Sequence, residues 1–214
     1  VINADRVRVL RAFGHVPGQP AVVEAVNASR TIVSDTHVEL QHTLHRHDFS
    51  LRVDVRIPAR GVTGLFGAYG SGKTTLLRCI AGLENPKASG AQPVHKRGIG
   101  YVFQEPQLFP HLDVRGNIRF GLKRNGSPQL DEQRIVTMLG LQNLLHRKPT
   151  ELSGGEAQRV AIAAVLLRSP QLILMDEPLA ALDQRRKDEL LPYLDLLHDE
   201  LSVPAIYVSH NIDE

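Results

Sequence analysis

The chain has 214 residues, 42% apolar and 22% charged, with a formal net charge of +2; that fits one large domain or a core with a small lobe, and supplies no strong field for nucleic acid. A single cysteine, Cys79, excludes an intrachain disulfide and is compatible with a reducing compartment. The longest apolar run, 160–167, is too short to span a bilayer, and no charged start with an apolar segment marks a secretory signal, so a link to a membrane is expected to run through a partner protein.

In chain order, "VELQHTL" (38–44) reads as a strand, "HRHD" (45–48) as a turn, and "LRVDVRI" (51–57) as its antiparallel neighbour. The last alternates strictly, Leu51, Val53, Val55 and Ile57 against Arg52, Asp54 and Arg56, which predicts a half-buried strand. "VTGLF" (62–66) is a short apolar strand entering a glycine-rich loop, with a helix from about Lys73. "IGYVFQ" (99–104) is a strand, and 112–148 reads as mostly helical, broken by "RNGSP". A helix over 155–169 is stopped by Pro170. "QLILMDE" (171–177) is an apolar strand ending in two carboxylates, 183–201 a long helix with a bend at Pro192, and "PAIYVSH" (204–210) the last strand. Strands alternating with helices predict a parallel sheet covered on both faces.

Three stretches carry chemistry. "GAYGSGKT" (67–74) fits G-x-x-x-x-G-K-[ST] between a strand and a helix. Glycines let the backbone curl so that its N–H groups and the helix dipole surround phosphates, Lys73 reaches the β- and γ-phosphates, and the Thr74 hydroxyl ligates magnesium. The bland alternative is a glycine-rich turn with a chance lysine. "LILMDEP" (172–178) delivers Asp176 to the magnesium and sets Glu177 beside it, placed to deprotonate an attacking water. "LSGGEAQR" (152–159) opens a helix with Ser153, Gly154 and Gly155, a second anion-binding N-terminus, and also reads as a capping box from Ser153 to Glu156.

Together these three strings resemble the motifs of ATP-binding-cassette (ABC) ATPases. The resemblance implies an α/β fold: a P-loop NTPase sheet of mostly parallel strands, a small antiparallel β-lobe and a helical subdomain, here about 105–155. It implies ATP and Mg2+ as cofactors, held by Gly67, Ala68, Tyr69, Gly70, Ser71, Gly72, Lys73, Thr74 and Thr75. It also implies a head-to-tail homodimer in which Ser153, Gly154 and Gly155 of one subunit cover the γ-phosphate held by the other. Further motifs follow in order. Gln104, in "YVFQE", is similar to the Q-loop glutamine that senses magnesium and the membrane partner. Asp183, in "LAALD", resembles the D-loop residue at the dimer contact, and His210, in "VSHNIDE", the switch histidine that touches the γ-phosphate.

The pattern is departed from in three places. Tyr69 stands where the family has a small residue, so the front wall of the loop is expected to differ. Phe49, His45 and His47 are poor candidates for stacking on adenine. The stretch between Lys73 and Gln104 is short, which would trim the β-lobe but leave the catalytic edge. His37, His42, His45 and His47 raise a metal site as an alternative to a solvated hairpin, although only Asp48 joins them.

"LFPHLDVRGNIRFGL" (108–122) resembles the region of importer ATPases that forms the groove for a permease's coupling helix, and 185–214 resembles molybdate-importer subunits. The resemblance implies a transmembrane permease partner, a periplasmic or surface binding protein reached indirectly, and a peripheral place on the cytoplasmic face of the inner membrane. Sulfate, iron and polyamine importers remain open, because this subunit does not touch the ion. A soluble ABC ATPase without a permease would need coiled-coil arms or a tandem cassette with basic tracts. A non-hydrolysing module would be expected to lose Glu177 or Ser153. A GTPase would need a guanine-reading Asn-Lys-x-Asp stretch, which is absent.

The order of the chain is unusual. In the family, the text after "SHNIDE" continues through a helix and then "ADRV" with two strands, and similar text lies at the start here, "VINADRVRVLRAFGHV" (1–16). Joined end to start, Ile212, Val1 and Ile2 fall on one helical face. The expectation is a circularly permuted order: residues 1–26 as the C-terminal segment of the ATPase domain, 27–37 as a linker, and 38–214 as the ATPase domain. Residues 6–10 should then form a strand beside the catalytic sheet, with Val1 and Glu214 close together. A fragment of two tandem cassettes and a misassigned start are the alternatives.

Overall fold

In the computed structural model the described residues are 8–11, 29–46, 49–84, 93–122, 131–180, 184–185, 187–188 and 203–210. Among them, two sheets form. The larger has five strands in the order β1 (Arg8–Arg11), β5 (Val62–Phe66), β8 (Ala205–Ser209), β7 (Leu172–Asp176) and β6 (Ile99–Val102), with every neighbouring pair parallel. The smaller is antiparallel, in the order β2 (Ser29–Val33), β3 (His37–Arg46) and β4 (Phe49–Pro58). Helix α1 (Lys73–Ala81) follows the glycine-rich loop. Helices α2 (Val114–Arg119), α3 (Glu132–Met138) and α4 (Gly154–Leu166) form the helical part.

The parallel sheet is buried on both faces because its central strands are apolar up to their last residues, Asp176 and Ser209. All five residues of β7 and all five of β8 are buried. Alternate side chains leave the sheet on opposite sides. Ile173, Met175, Ala205 and Tyr207 join one core with α2, α3 and α4. Leu172, Leu174, Ile206 and Val208 join the other, with Leu76, Leu77 and Ile80 of α1 and the β-lobe residues Val38, Leu40 and Ile57. One sheet thus ties the helical part to the β-lobe, and the C-terminal ends of β5, β7 and β8 open at one edge.

The β-lobe follows its alternation. Leu40 lies opposite Val55 and Val38 opposite Ile57, while Arg52, Asp54 and Arg56 are exposed. His42 falls on the same inward face, opposite Val53, and is buried.

Several boundaries differ from the sequence reading. The hairpin strands run through Arg46 and resume at Phe49, so His45 and Arg46 belong to β3 rather than to the expected turn. Residues 29–33 are a strand paired with β3 rather than part of a linker, since "TIV" is β-branched throughout and completes the lobe. Strand β6 ends at Val102, two residues early. Helix α4 stops at Leu166, ahead of Pro170, where Ser169 takes a left-handed φ of 50°. In 112–148 the described helices are shorter than the pattern implied, with single 3-10 turns at Gln142–Leu144 and, just beyond, Pro149–Glu151. Most of the 183–201 helix, including Pro192, lies outside the described residues, as do Val1, Ile2, Val7, Ile212 and Glu214. Arg8–Arg11 does pair beside the catalytic sheet, in register with Thr63–Phe66.

Candidate functional site

The loop from Gly67 to Gly72 connects buried β5 to α1 at the open edge of the sheet. Gly72 caps α1 in the left-handed region, φ 91°, a conformation a side chain would strain. Lys73 is only 6% exposed, and its Nζ donates to the Gly67 carbonyl at 2.7 Å and to that of Ala68 at 3.0 Å. The loop's own carbonyls therefore hold the ammonium at its mouth. Ser71 Oγ is buried without a hydrogen-bond partner among the described residues, an unmet polar group that a phosphate oxygen would satisfy. Tyr69 is 98% exposed at the rim, with Ala68 and Gly70 also exposed. Thr75 lies half-buried in the first turn of α1.

The apolar strand β7 delivers Asp176 to the same edge, 7% exposed. Thr74 Oγ1 donates to Asp176 Oδ1 at 2.8 Å, and the Tyr101 hydroxyl donates to Asp176 Oδ2 at 2.8 Å. A buried carboxylate needs such donors. Burial, and then its contact with Asp176, pushes the Tyr101 hydroxyl above its ordinary range, so it stays protonated as a donor. The residues fit a magnesium ion. Their donors are hard oxygens, and the Thr74–Asp176 separation is close to the roughly 2.9 Å between neighbouring oxygens on an octahedral magnesium.

Glu177, one residue on, has a left-handed φ of 46°, unusual for a non-glycine residue and of the kind found at functional sites. Its Oε2 lies 3.1 Å from Nδ1 of His210, just past β8. The backbone fixes this meeting, since Glu177 N donates to the Val208 carbonyl. Thr74, Asp176, Glu177, His210 and Lys73 are thus all set at the sheet edge by β5, β7, β8 and α1.

Other expected residues lie elsewhere. Gln104 is exposed beyond β6, and no described contact joins it to Thr74 or Asp176. Ser153 caps α4: its Oγ accepts from Glu156 N at 3.3 Å, and Glu156 Oε2 accepts from Ser153 N at 2.7 Å. That backbone donor is the chief reason the Glu156 carboxyl is held below its ordinary range. Ser153 and Gly154 are exposed, and Gly155 is half-buried. Asp183 lies outside the described residues.

Sequence reasoning missed three side chains. Tyr101 pairs with Leu174 across β6 and β7, so its diagonal neighbour on the same face is Asp176; strand parity could have exposed this. Gln158, 1% exposed on α4, donates to the Phe103 carbonyl just before Gln104. Asn117, 3% exposed on α2, accepts from Phe109 N and donates to the carbonyls of Phe109, Leu112 and Asp113, shaping the segment after Gln104. Of the four histidines raised as a metal site, His47 and the side chain of His45 lie outside what the structure describes, as does Asp48. His42 bonds Thr31 Oγ1 at 2.9 Å, His37 bonds Ser34, Thr36 and Glu39, and among the described residues no group of three or more His, Cys, Asp or Glu could hold an ion.

Residues 51–180 match the family described as ABC transporter. The chain is 57% identical over 180 residues to the molybdenum import ATP-binding protein ModC of Methylococcus capsulatus, covering 78% of this chain and 51% of that protein. To ModC of Pseudomonas fluorescens it is 52% identical over 195 residues, covering 83% and 54%. The chain spans about half the length of the curated relatives it matches. Among solved structures, cbiO1 of Clostridium perfringens, described as part of the ABC transporter complex cbiONQ, superposes with a TM-score of 0.68 at 26% identity, over 86% of this chain and 80% of that one. The matched span takes in the loop over 67–72, helix α4 and the Asp176–Glu177 pair, and the chain belongs to the ABC transporter family.

Proposed function

We propose that this chain binds and hydrolyses ATP to power an importer of an oxyanion, molybdate, with an importer of sulfate, iron or polyamines as the alternative. The observation that carries the reading is the meeting of Thr74 with Asp176 and of Glu177 with His210 at one sheet edge, behind a phosphate loop. The ModC relatives supply the substrate class.

In this mechanism the N–H groups of 68–72 and the N-terminus of α1 cradle the β- and γ-phosphates. Lys73 leaves the carbonyls of Gly67 and Ala68 for the phosphate oxygens, and Ser71 Oγ gains its missing partner. Thr74 and Asp176, with Gln104 as a further candidate, would hold Mg2+, which would neutralise charge on the phosphates. Glu177 Oε1 is left to orient water and take its proton while His210 fixes Oε2. His210 Nε2 remains for the γ-phosphate. The exposed opening of α4 at Ser153, Gly154 and Gly155 completes the site of a second copy, with Asp183 at the contact.

The exposed Phe103, Phe109 and Phe120 follow or precede the glutamine segment, with Phe109 and Phe120 ring centroids 4.0 Å apart. We assign them to the groove for a permease's coupling helix. A binding protein would act through that permease. Among the described residues no helix is long and apolar enough to cross a membrane; the proposed place at the cytoplasmic face rests on the permease contact. The test is phosphate release by the chain with and without candidate permeases in lipid. Stimulation by a molybdate permease supports the reading; stimulation only by a sulfate, iron or polyamine permease would reassign the cargo. No ATP hydrolysis under any condition would overturn the reading.

A further inference from the structure

We propose that Tyr101 is a positioning residue for the metal site, its hydroxyl fixing the plane of the Asp176 carboxylate so that Oδ1 is presented beside Thr74 Oγ1. The proposal rests on reading Thr74 and Asp176 as magnesium ligands and adds a residue to that site.

The geometry assigns each oxygen of Asp176 its own donor. Thr74, from the first turn of α1, takes Oδ1, and Tyr101, from β6, takes Oδ2, both at 2.8 Å. The terminal torsion of an aspartate is broad and soft, so one donor leaves the carboxylate free to swing about the other bond. Two donors from separate elements define its plane. Tyr101 is itself rigidly delivered. Its backbone is locked to Leu174 in the β6–β7 ladder, and its ring lies against Phe103 with centroids 4.4 Å apart. The hydroxyl does not compete for the cation, because it occupies the oxygen that Thr74 leaves. Groups that hold a ligand in this way typically control metal affinity by about 10- to 100-fold.

The contact also joins two parts of the site. Phe103, which supports the ring, precedes Gln104, and its carbonyl receives Gln158 of α4. Tyr101 therefore connects the carboxylate at the end of β7 to the backbone that carries Gln104.

The test is Mn2+ binding, read by the paramagnetic resonance of free Mn2+, to wild type, Tyr101→Phe and Asp176→Asn with a β,γ-imido ATP analogue. Nucleotide affinity is measured in parallel in excess chelator. Tyr101→Phe keeps the ring and its packing on Phe103. It should raise the Mn2+ dissociation constant of the nucleotide complex about 10- to 100-fold and leave metal-free nucleotide affinity unchanged. Unchanged Mn2+ affinity in Tyr101→Phe, with Asp176→Asn impaired, would overturn the role of Tyr101 alone. Equal Mn2+ affinity in all three proteins would remove the metal-site reading and this role together. Loss of metal-free nucleotide affinity in Tyr101→Phe would make Tyr101 a packing residue and overturn the proposal.

Discussion

Oε2 of Glu177 lies 3.1 Å from Nδ1 of His210, and the two side chains arrive from the ends of different strands, β7 and β8. The Glu177 backbone is itself held by its N–H on the Val208 carbonyl and sits at φ 46°. Strand pairing, an unfavourable backbone angle and a side-chain contact all fix one carboxylate. His210→Ala would remove the last of these. We expect turnover to fall about 10²-fold or more, with little further loss when Glu177→Gln is added, because residues acting as a unit are not additive. Steady-state phosphate release by the two single variants and the double variant measures this; additive losses would separate their roles.

The first turn of α4 predicts an ATP-driven dimer. Ser153 is exposed, and its Oγ accepts from Glu156 N within its own helix. A neighbouring subunit's γ-phosphate would find the Gly154 and Gly155 N–H groups free of side-chain obstruction. Light scattering of Glu177→Gln with ATP should show a dimer, and adding Ser153→Arg should leave a monomer. A monomer at saturating ATP without the arginine would contradict the sandwich arrangement.

His42 predicts a pH dependence. Burial, and secondarily the charge of Arg97, lowers its pKa from 6.5 to about 4. The unfolded chain therefore binds more protons across that window, so the contribution is complete above 6.5 and is lost as pH falls towards 4. The effect is at most about 3 kcal/mol. His42→Leu should flatten this part of the stability profile, measured by urea unfolding at a series of pH values. An unchanged slope would show that folding does not lower the His42 pKa.

The central strands were legible because their signals were local. Val62–Phe66 and Leu172–Asp176 are apolar runs bounded by loop residues, and the Leu51–Ile57 alternation fixes which face is inward. Lys73, Thr74, Asp176 and Glu177 were readable because each stands at a fixed offset from a strand end. Contacts set by pairing across the chain were not. Tyr101 meets Asp176 only through the β6–β7 register, and Gln158 meets Phe103 only through packing of α4. The β2 strand was missed because five residues with polar flanks carry little periodicity, and its reason to exist is the open edge of β3.

The parallel pairing of Arg8–Arg11 with β5 supports reading residues 1–26 as the displaced end of the ATPase domain. We propose that order, and it predicts tolerance to rearrangement. A chain in which residues 1–26 are moved to follow Glu214 should fold with the same thermal midpoint and nucleotide affinity within a few-fold. A rearranged chain that fails to fold, while the present order folds, would contradict the permuted reading.

Glu177 is the residue we assign as the base that acts on water. The most direct measurement is single-turnover ATP hydrolysis by Glu177→Gln beside wild type, with ATP binding followed in the same samples. Binding should be retained, and the hydrolysis rate should fall by about 10²- to 10⁴-fold, the span a positioned base contributes. Hydrolysis at the wild-type rate in that variant, with ATP bound, would contradict the account.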